Sequence, residues 1–170
     1  MPSKPLPDAE RLRYLFSYET DTGRLLWRTV ESYNSRAIVG TEAGCFDSEG
    51  YRVVKFGGRL YKAHRIIWKM MTGDEPPELI DHKNTRAGDN RWTNLRLATP
   101  SQNQCNRRKC LNASTARKGV CWHRRDHAWQ ASIKVDGRSI HLGLFELEAT
   151  AHAAYAAAAK RLFGEFARAA

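Results

Sequence analysis

Cysteine is scarce in this sequence, with four in 170 residues, at positions 45, 105, 110 and 121. So few, so irregularly spaced, do not make a disulfide framework. No CxxC pair supports a zinc knuckle built from Cys105, Cys110 and Cys121, and reduced thiols without a common role are the preferred reading. No run of about 18 apolar residues occurs, which excludes a membrane-spanning helix of ordinary length. The stretch from Met1 to Arg13 is broken by charged and proline residues, unlike a secretory signal. A soluble, intracellular protein is expected. Acidic residues are few for the length, 18 Asp and Glu against 28 Lys and Arg, leaving a net charge of +10. That excess points to a polyanionic partner, nucleic acid first because binding releases its condensed counterions. A membrane surface is the rival polyanion.

The most informative stretch runs from Glu78 to Asn103. Glu78-Leu79-Ile80-Asp81-His82 reads as a short strand ending in an Asp-His pair. A loop rich in turn residues follows (Asn84, Gly88, Asp89, Asn90), then a second strand at Asn94-Leu95-Arg96-Leu97-Ala98 and a helix that begins near Pro100. Such a unit can gather Asp81, His82 and Asn103 around one small volume. An oxygen ligand from a strand, another from a helix and an imidazole beside them suit metal-assisted hydrolysis of a phosphodiester.

Around this stretch the pattern is mixed helix and strand. Asp8 to Glu19 reads as a docking helix with Leu12, Leu15 and Phe16 on one face. Arg24 to Arg28 follows as a strand, and residues 29–50 read as loop with short strands. Tyr51 to Phe56 and Arg59 to Ala63 form a hairpin across Gly57-Gly58, a dipeptide suited to positive φ. A helix from His64 to Met71 turns Ile67, Trp68 and Met71 inward and ends at Gly73. The helix carrying Asn103 is read as continuing through Lys109, and Asn112 to Thr115 as a polar linker. Three strands are then expected at Lys118 to His123, His127 to Val135 and Arg138 to Gly143, with Asp136-Gly137 turning between the last two. An alanine-rich helix, Glu146 to Phe163, ends at Gly164 and lies close on the sheet.

Positive charge concentrates late in the chain. Residues 101–140 hold nine Lys or Arg and two Asp, +7 of the total +10. In the middle strand Trp129, Ala131, Ile133 and Val135 alternate with Gln130, Ser132 and Lys134, giving one apolar and one polar face. Aromatic and cationic residues share the first hairpin (Trp122, His123, Arg124, Arg125), which favours a nucleic-acid face over a merely solvated one. The last helix lacks the broad basic face of a membrane-surface helix.

Residues 60–109, with LYKAHRIIWKMMTGDEPPELIDHKN, RWTNLRLAT and SQNQCNRRK, resemble the HNH endonucleases of phage and homing type, which carry a ββα-metal fold. Residues 118–164, with KGVCWHRRDHAWQASIKV, IHLGLF and AHAAYAAAAKRLFGEF, resemble the DNA-binding domain of plant ethylene-response factors (the Apetala type), a three-stranded antiparallel sheet backed by one helix. The resemblances imply an α+β protein with four segments: an N-terminal extension over 1–50, an HNH nuclease domain over 51–111, a linker over 112–117, and a DNA-binding domain over 118–170.

In the resembled nucleases the Asp of the pair and a helix residue hold a divalent cation, and the His is the general base. An intervening Asn braces the loop. The resemblance thus makes Asp81 and Asn103 metal ligands and His82 the base. Asn94 is the brace by spacing, twelve residues after His82 and nine before Asn103, with Asn90 its rival. A set of oxygen ligands favours Mg²⁺ or Mn²⁺ over zinc. His64 and Arg65 match a His-Arg pair of the same family, for which a phosphate contact and a packing or capping role are equally open. The loop from Lys83 to Gly88 departs from the shorter turn common in the family.

For the C-terminal module the resemblance implies a sheet face in the major groove, read by Lys118, His123, Ser132, Lys134 and His141. Arg124, Arg125 and Arg138 sit at hairpin tips toward phosphates or bases. Cys121, Ser132 and His141 stand where the plant proteins have arginine, glutamate and tryptophan, so the plant target sequence does not transfer. The implied partner is double-stranded DNA, with no membrane, in the cytoplasm of a bacterial host cell. One such site cuts one strand, so a double-strand break would need a homodimer or two successive events. A DNA-binding regulator with a nuclease-like scaffold is the alternative, and an RNA-binding protein a weaker third.

Overall fold

In the computed structural model, residues 5–30, 37–107 and 117–168 are described. The chain is a mixed α+β protein of two compact units, residues 1–97 and 98–170.

The first unit opens with α1 (Ala9–Leu15), which buries Leu12 and Leu15. The expected helix to Glu19 stops early, because Phe16–Tyr18 is β1, paired antiparallel with β2 (Leu25–Trp27). Phe16 stands opposite Trp27 with ring centroids 4.7 Å apart. Side-chain pairing of this kind outweighs helix propensity in a short segment. β3 (Cys45–Phe46), β4 (Arg52–Phe56) and β5 (Arg59–Lys62) form an antiparallel sheet. Gly57 and Gly58 turn the last hairpin with φ of 55° and 71°, angles that a side chain would disfavour.

α2 (Ala63–Thr72) is closed by Gly73 in the left-handed region. It buries Ile66, Ile67 and Met70, while Met71, expected inward, is exposed. β6 (Ile80–His82) and β7 (Leu95–Leu97) then pair antiparallel, with Asp81 opposite Arg96 and His82 opposite Leu95.

One core unites these elements. Leu12, Phe16 and Leu25 from the first thirty residues pack in the same cluster as Val54, Ile66, Ile67, Ile80 and Leu95. Each fully buried side chain of this size is worth about 1.5–3 kcal/mol relative to exposure. The described part of the segment expected as an N-terminal extension thus contributes Leu12, Phe16 and Leu25 to this core.

The second unit begins with α3 (Pro100–Asn106). Thr99 caps it reciprocally with Gln102, and Pro100 takes the first turn, where no N–H is missed. The helix ends at Asn106, short of the expected Lys109; residues 108–116, which include most of the expected linker and Cys110, lie outside the described residues. α3 groups with the C-terminal unit rather than with the hairpin before it, because Cys105 is buried in a cluster with Ile133, Tyr155, Ala159 and Phe163.

β8 (Val120–His123), β9 (Ala128–Val135) and β10 (Arg138–Phe145) form an antiparallel sheet with β9 central. Asp136 and Gly137 turn the second hairpin at φ of 47° and 81°. α4 (Glu148–Phe163) covers the sheet with Ala151, Tyr155, Ala158, Ala159 and Phe163 inward. Among the described residues no helix is long and apolar enough to cross a membrane.

Candidate active site

The end of β6 places two acid-base groups in the protein interior. Asp81 and His82 are each 5% exposed. Cross-strand register sets Asp81 against Arg96, whose Nε donates to Asp81 Oδ2 at 2.8 Å. Both side chains are nearly buried, 6% and 11% exposed, so the guanidinium offsets the cost of holding a carboxylate away from water.

His82 is tied through its ring. Nε2 lies 3.1 Å from Asn90 Oδ1, and Asn90 is itself 2% exposed. An amide oxygen only accepts, so Nε2 carries the proton and Nδ1 carries the lone pair. Burial pushes the imidazole below its ordinary pKa, with the Asn90 hydrogen bond and the nearby Asp81 acting the other way. A neutral imidazole with a fixed tautomer is the form a general base needs.

His64, at the start of α2, stands edge-on to His82 with centroids 5.2 Å apart and planes at 88°. Tyr51 touches both rings, at 5.4 Å from His64 and 5.9 Å from His82. Lys62 Nζ sits 3.7 Å from the Tyr51 ring centroid. Burial pushes His64 down to about 3, helped by repulsion from His82, Lys62 and Arg65. His64 is thus a buried neutral ring, 6% exposed, packed against the candidate base. Arg65 is likewise occupied by the backbone, donating to the carbonyls of Pro77 at 2.8 Å and Pro76 at 3.2 Å. It holds the proline segment in place ahead of β6.

The loop between β6 and β7 is organised by Asn94, 7% exposed. Its Nδ2 donates to the Asp89 carbonyl at 2.7 Å and to Asn84 Oδ1 at 3.1 Å, and its Oδ1 accepts from the Asn84 backbone at 3.0 Å. Arg91 holds the Asp89 carboxyl down to about 2 and Asn84 Nδ2 donates to it at 2.6 Å. The two asparagines that compete in the sequence hold different parts of this region, Asn94 the loop and Asn90 the imidazole.

Asn103 lies half-exposed on α3, in the second unit. Among the described residues no group of three or more His, Cys, Asp or Glu is arranged to hold a metal ion. Asp81 by itself suits only a hard cation that keeps much of its own water, since Mg²⁺ typically takes only one or two protein carboxylates.

On the outer face of the second unit's sheet stand His123, Ser132, Lys134 and His141, with Ser132 opposite His141. Gln130 Nε2 lies 3.2 Å from His141 Nδ1, and His123 Nδ1 lies 3.1 Å from Asp126. Arg124, Arg125 and Arg138 are exposed at the hairpin tips. Lys118 is placed elsewhere. Its Nζ donates to the carbonyls of Cys105 and of Arg107 at the end of α3, where a cation complements the helix dipole, so it is removed from the reading face.

Two groups that bear on the site went unseen in the sequence. Tyr51 is one. Tyr18 is the other, donating from its hydroxyl to the Asn90 carbonyl at 2.8 Å across 72 residues of chain. No local pattern signals a contact of that range.

Residues 61–105 match the family described as HNH endonuclease. An uncharacterized HNH endonuclease of Acanthamoeba polyphaga mimivirus is 32% identical over 120 residues, covering 69% of this chain and 61% of that protein. Protein 3.8 of Escherichia phage T7 is 27% identical over 84 residues, covering 47% of this chain and 69% of that protein. The chain thus spans less than two thirds of the mimiviral relative. No solved structure matches it.

Proposed function

We propose that this chain is a divalent-metal-dependent HNH-type endonuclease that hydrolyses phosphodiester bonds in double-stranded DNA, of phage or mobile-element type. The observation that carries the reading is the buried, tautomer-fixed His82 beside Asp81 inside the matched residues 61–105. His82 Nδ1 takes a proton from the attacking water, while Asn90 keeps the opposite ring nitrogen protonated. Asp81 is a ligand for Mg²⁺ or Mn²⁺. Asn103 is proposed as the second ligand on the strength of its sequence spacing alone. A bound cation supplies electrophilic stabilisation of the charge that grows on the phosphate and the leaving oxygen. Asn94 keeps the loop in the shape that presents His82.

The C-terminal sheet is the DNA-reading surface in this proposal, through His123, Ser132, Lys134 and His141, with Arg124, Arg125 and Arg138 toward the backbone. One site cuts one strand; a double-strand break takes a second copy or a second event. The competing reading, a regulator on a nuclease-like scaffold, draws on one observation, the Arg96 guanidinium already bound to Asp81.

The deciding experiment incubates purified protein with supercoiled plasmid and Mg²⁺ or Mn²⁺. Conversion to open-circular or linear DNA by the wild type, lost in His82→Gln with DNA binding retained, supports the nuclease. Binding without cleavage under any divalent ion supports the regulator. Lys134→Gln should reduce the salt slope of binding by about one, and an unchanged slope would take Lys134 off the DNA.

A further inference from the structure

The β1–β2 hairpin lies outside the matched residues 61–105, yet it reaches the candidate base through one residue. Tyr18 closes β1 and donates to the Asn90 carbonyl, while the Asn90 amide holds His82 Nε2. The turn after β1 presses on the same backbone. Gly23 has φ of +77°, and a Cβ there would come 2.5 Å from the Arg91 nitrogen and 2.7 Å from the Asn90 carbonyl carbon. The Trp92 N–H reaches the Thr20 carbonyl at 3.4 Å, so the hairpin grips the chain on both sides of Arg91. Asn90 is almost wholly buried.

From this we infer that Tyr18 and Gly23 are positioning residues for His82, acting through Asn90, so that the hairpin of residues 16–27 is part of the hydrolytic machinery. The inference rests on His82 being the base. The chemistry favours a hydroxyl at position 18, because a backbone carbonyl bonded by Tyr18 fixes the Asn90 peptide plane and with it the direction of the amide side chain. Burial pushes the Tyr18 phenol up to about 12, which keeps it a donor at any pH where the enzyme works. A Phe at this position keeps the packing and loses the tether. An alanine at 23 keeps the tether and pushes the same backbone away, so two unrelated changes converge on the Asn90–Arg91 peptide unit.

The test compares wild type, Tyr18→Phe, Gly23→Ala and Leu12→Val in the full chain. Leu12, fully buried in α1 outside the hairpin, controls for loss of first-unit stability. Two readouts are taken: single-turnover plasmid cleavage with separate measurement of DNA affinity, and the ¹⁵N shifts of the His82 ring, which report the tautomer. The expected result for Tyr18→Phe is about a tenfold fall in the cleavage rate with affinity within twofold, the scale of losing an outer-shell support, together with a mixed His82 tautomer. Gly23→Ala should do the same or worse, and Leu12→Val should melt earlier with both readouts unchanged. A wild-type tautomer and rate in Tyr18→Phe overturn the inference, as does an equal loss in Leu12→Val. If the wild type cuts no DNA, the nuclease reading fails, while the tautomer still decides whether Tyr18 positions His82.

Discussion

Acid should weaken the first unit through His64, and by an amount the structure sets. His64 is 6% exposed and burial pushes its pKa down to about 3, against 6.5 for a free imidazole. Below pH 6.5 the unfolded chain takes up a proton there and the folded chain does not, so protons favour unfolding. The stability His64 confers by staying neutral is complete above about pH 6.5 and is lost as pH falls toward 3. Between pH 7 and pH 5 the loss from this group is about 2 kcal/mol, because each unit of pH in that window costs up to about 1.4 kcal/mol. With a urea m-value of about 1–2 kcal/mol/M for a unit of this size, the midpoint should fall by about 1–2 M. The assay is urea unfolding at pH 7 and pH 5, followed by the amide resonances of α2 so that only the first unit is read. The comparison is His64→Phe, which keeps an aromatic ring against His82 and Tyr51 but has nothing to titrate. Its stability should vary less with pH than that of the wild type by about the amount calculated, whatever its absolute stability. Equal pH dependence in the two proteins would mean that His64 is hydrated or can open to solvent, and would refute its assignment as a buried neutral packing group.

Arg96→Leu should destabilise the first unit by about 3–5 kcal/mol in thermal melts, since it takes the guanidinium from a buried carboxylate; if Asp81 is a metal ligand, millimolar MgCl₂ should restore part of the loss. Asn94→Ala removes three part-buried hydrogen bonds that shape the loop and should cost about 2–3 kcal/mol, visible as faster tryptic cleavage at Lys83 and Arg86. Gly119→Ala should unfold the second unit while leaving the first intact, because its Cβ would fall into the Tyr155 ring at a backbone φ of +72°; separate melting of the two units by NMR checks this.

Where sequence and structure agree, the deciding chemistry is local. Gly57-Gly58 and Asp136-Gly137 each demand a left-handed turn, and the hairpins form there. Gly73 and Gly164 end helices for the same reason. The alternation of Trp129 to Val135 predicts which face of β9 is covered, because strand parity needs no knowledge of partners. The failures lie where a distant contact outvotes local preference. Phe16 reads as the last face of a helix and becomes a strand, since Trp27 across the hairpin offers a better burial. Lys118 looks like a reader on a basic sheet and instead satisfies the carbonyls at the end of α3, a partner invisible to any pattern within the strand. α3 continues the hairpin in sequence but packs with α4 through Cys105. The candidate site divides the same way. Asp81, His82 and Asn94 stand out by spacing, whereas Tyr18 and Tyr51 come from outside any motif.

The charge balance around β6 gives the site its character before any cation arrives. Burial holds both His64 and His82 toward neutrality, and the Asp81 carboxylate is matched by Arg96. The buried groups alone, one carboxylate, one guanidinium and two neutral imidazoles, sum to no net charge, and the charges beside them, Lys62, Arg65 and Asp89, add no negative excess to draw in a free divalent ion. Affinity of Asp81 for Mg²⁺ alone should therefore be weak, because the ion must compete with a hydrogen-bonded guanidinium for the same carboxylate. A phosphodiester changes the balance by adding a negative charge, which Arg96 or a cation can then meet. On this reasoning metal and DNA bind with positive coupling, and by linkage each should raise the other's affinity by the same factor. Calorimetric titration of Mg²⁺ with His82→Gln, in the absence and presence of a DNA duplex, measures that factor. Equal Mg²⁺ affinity in both would show that Arg96 does not restrain Asp81.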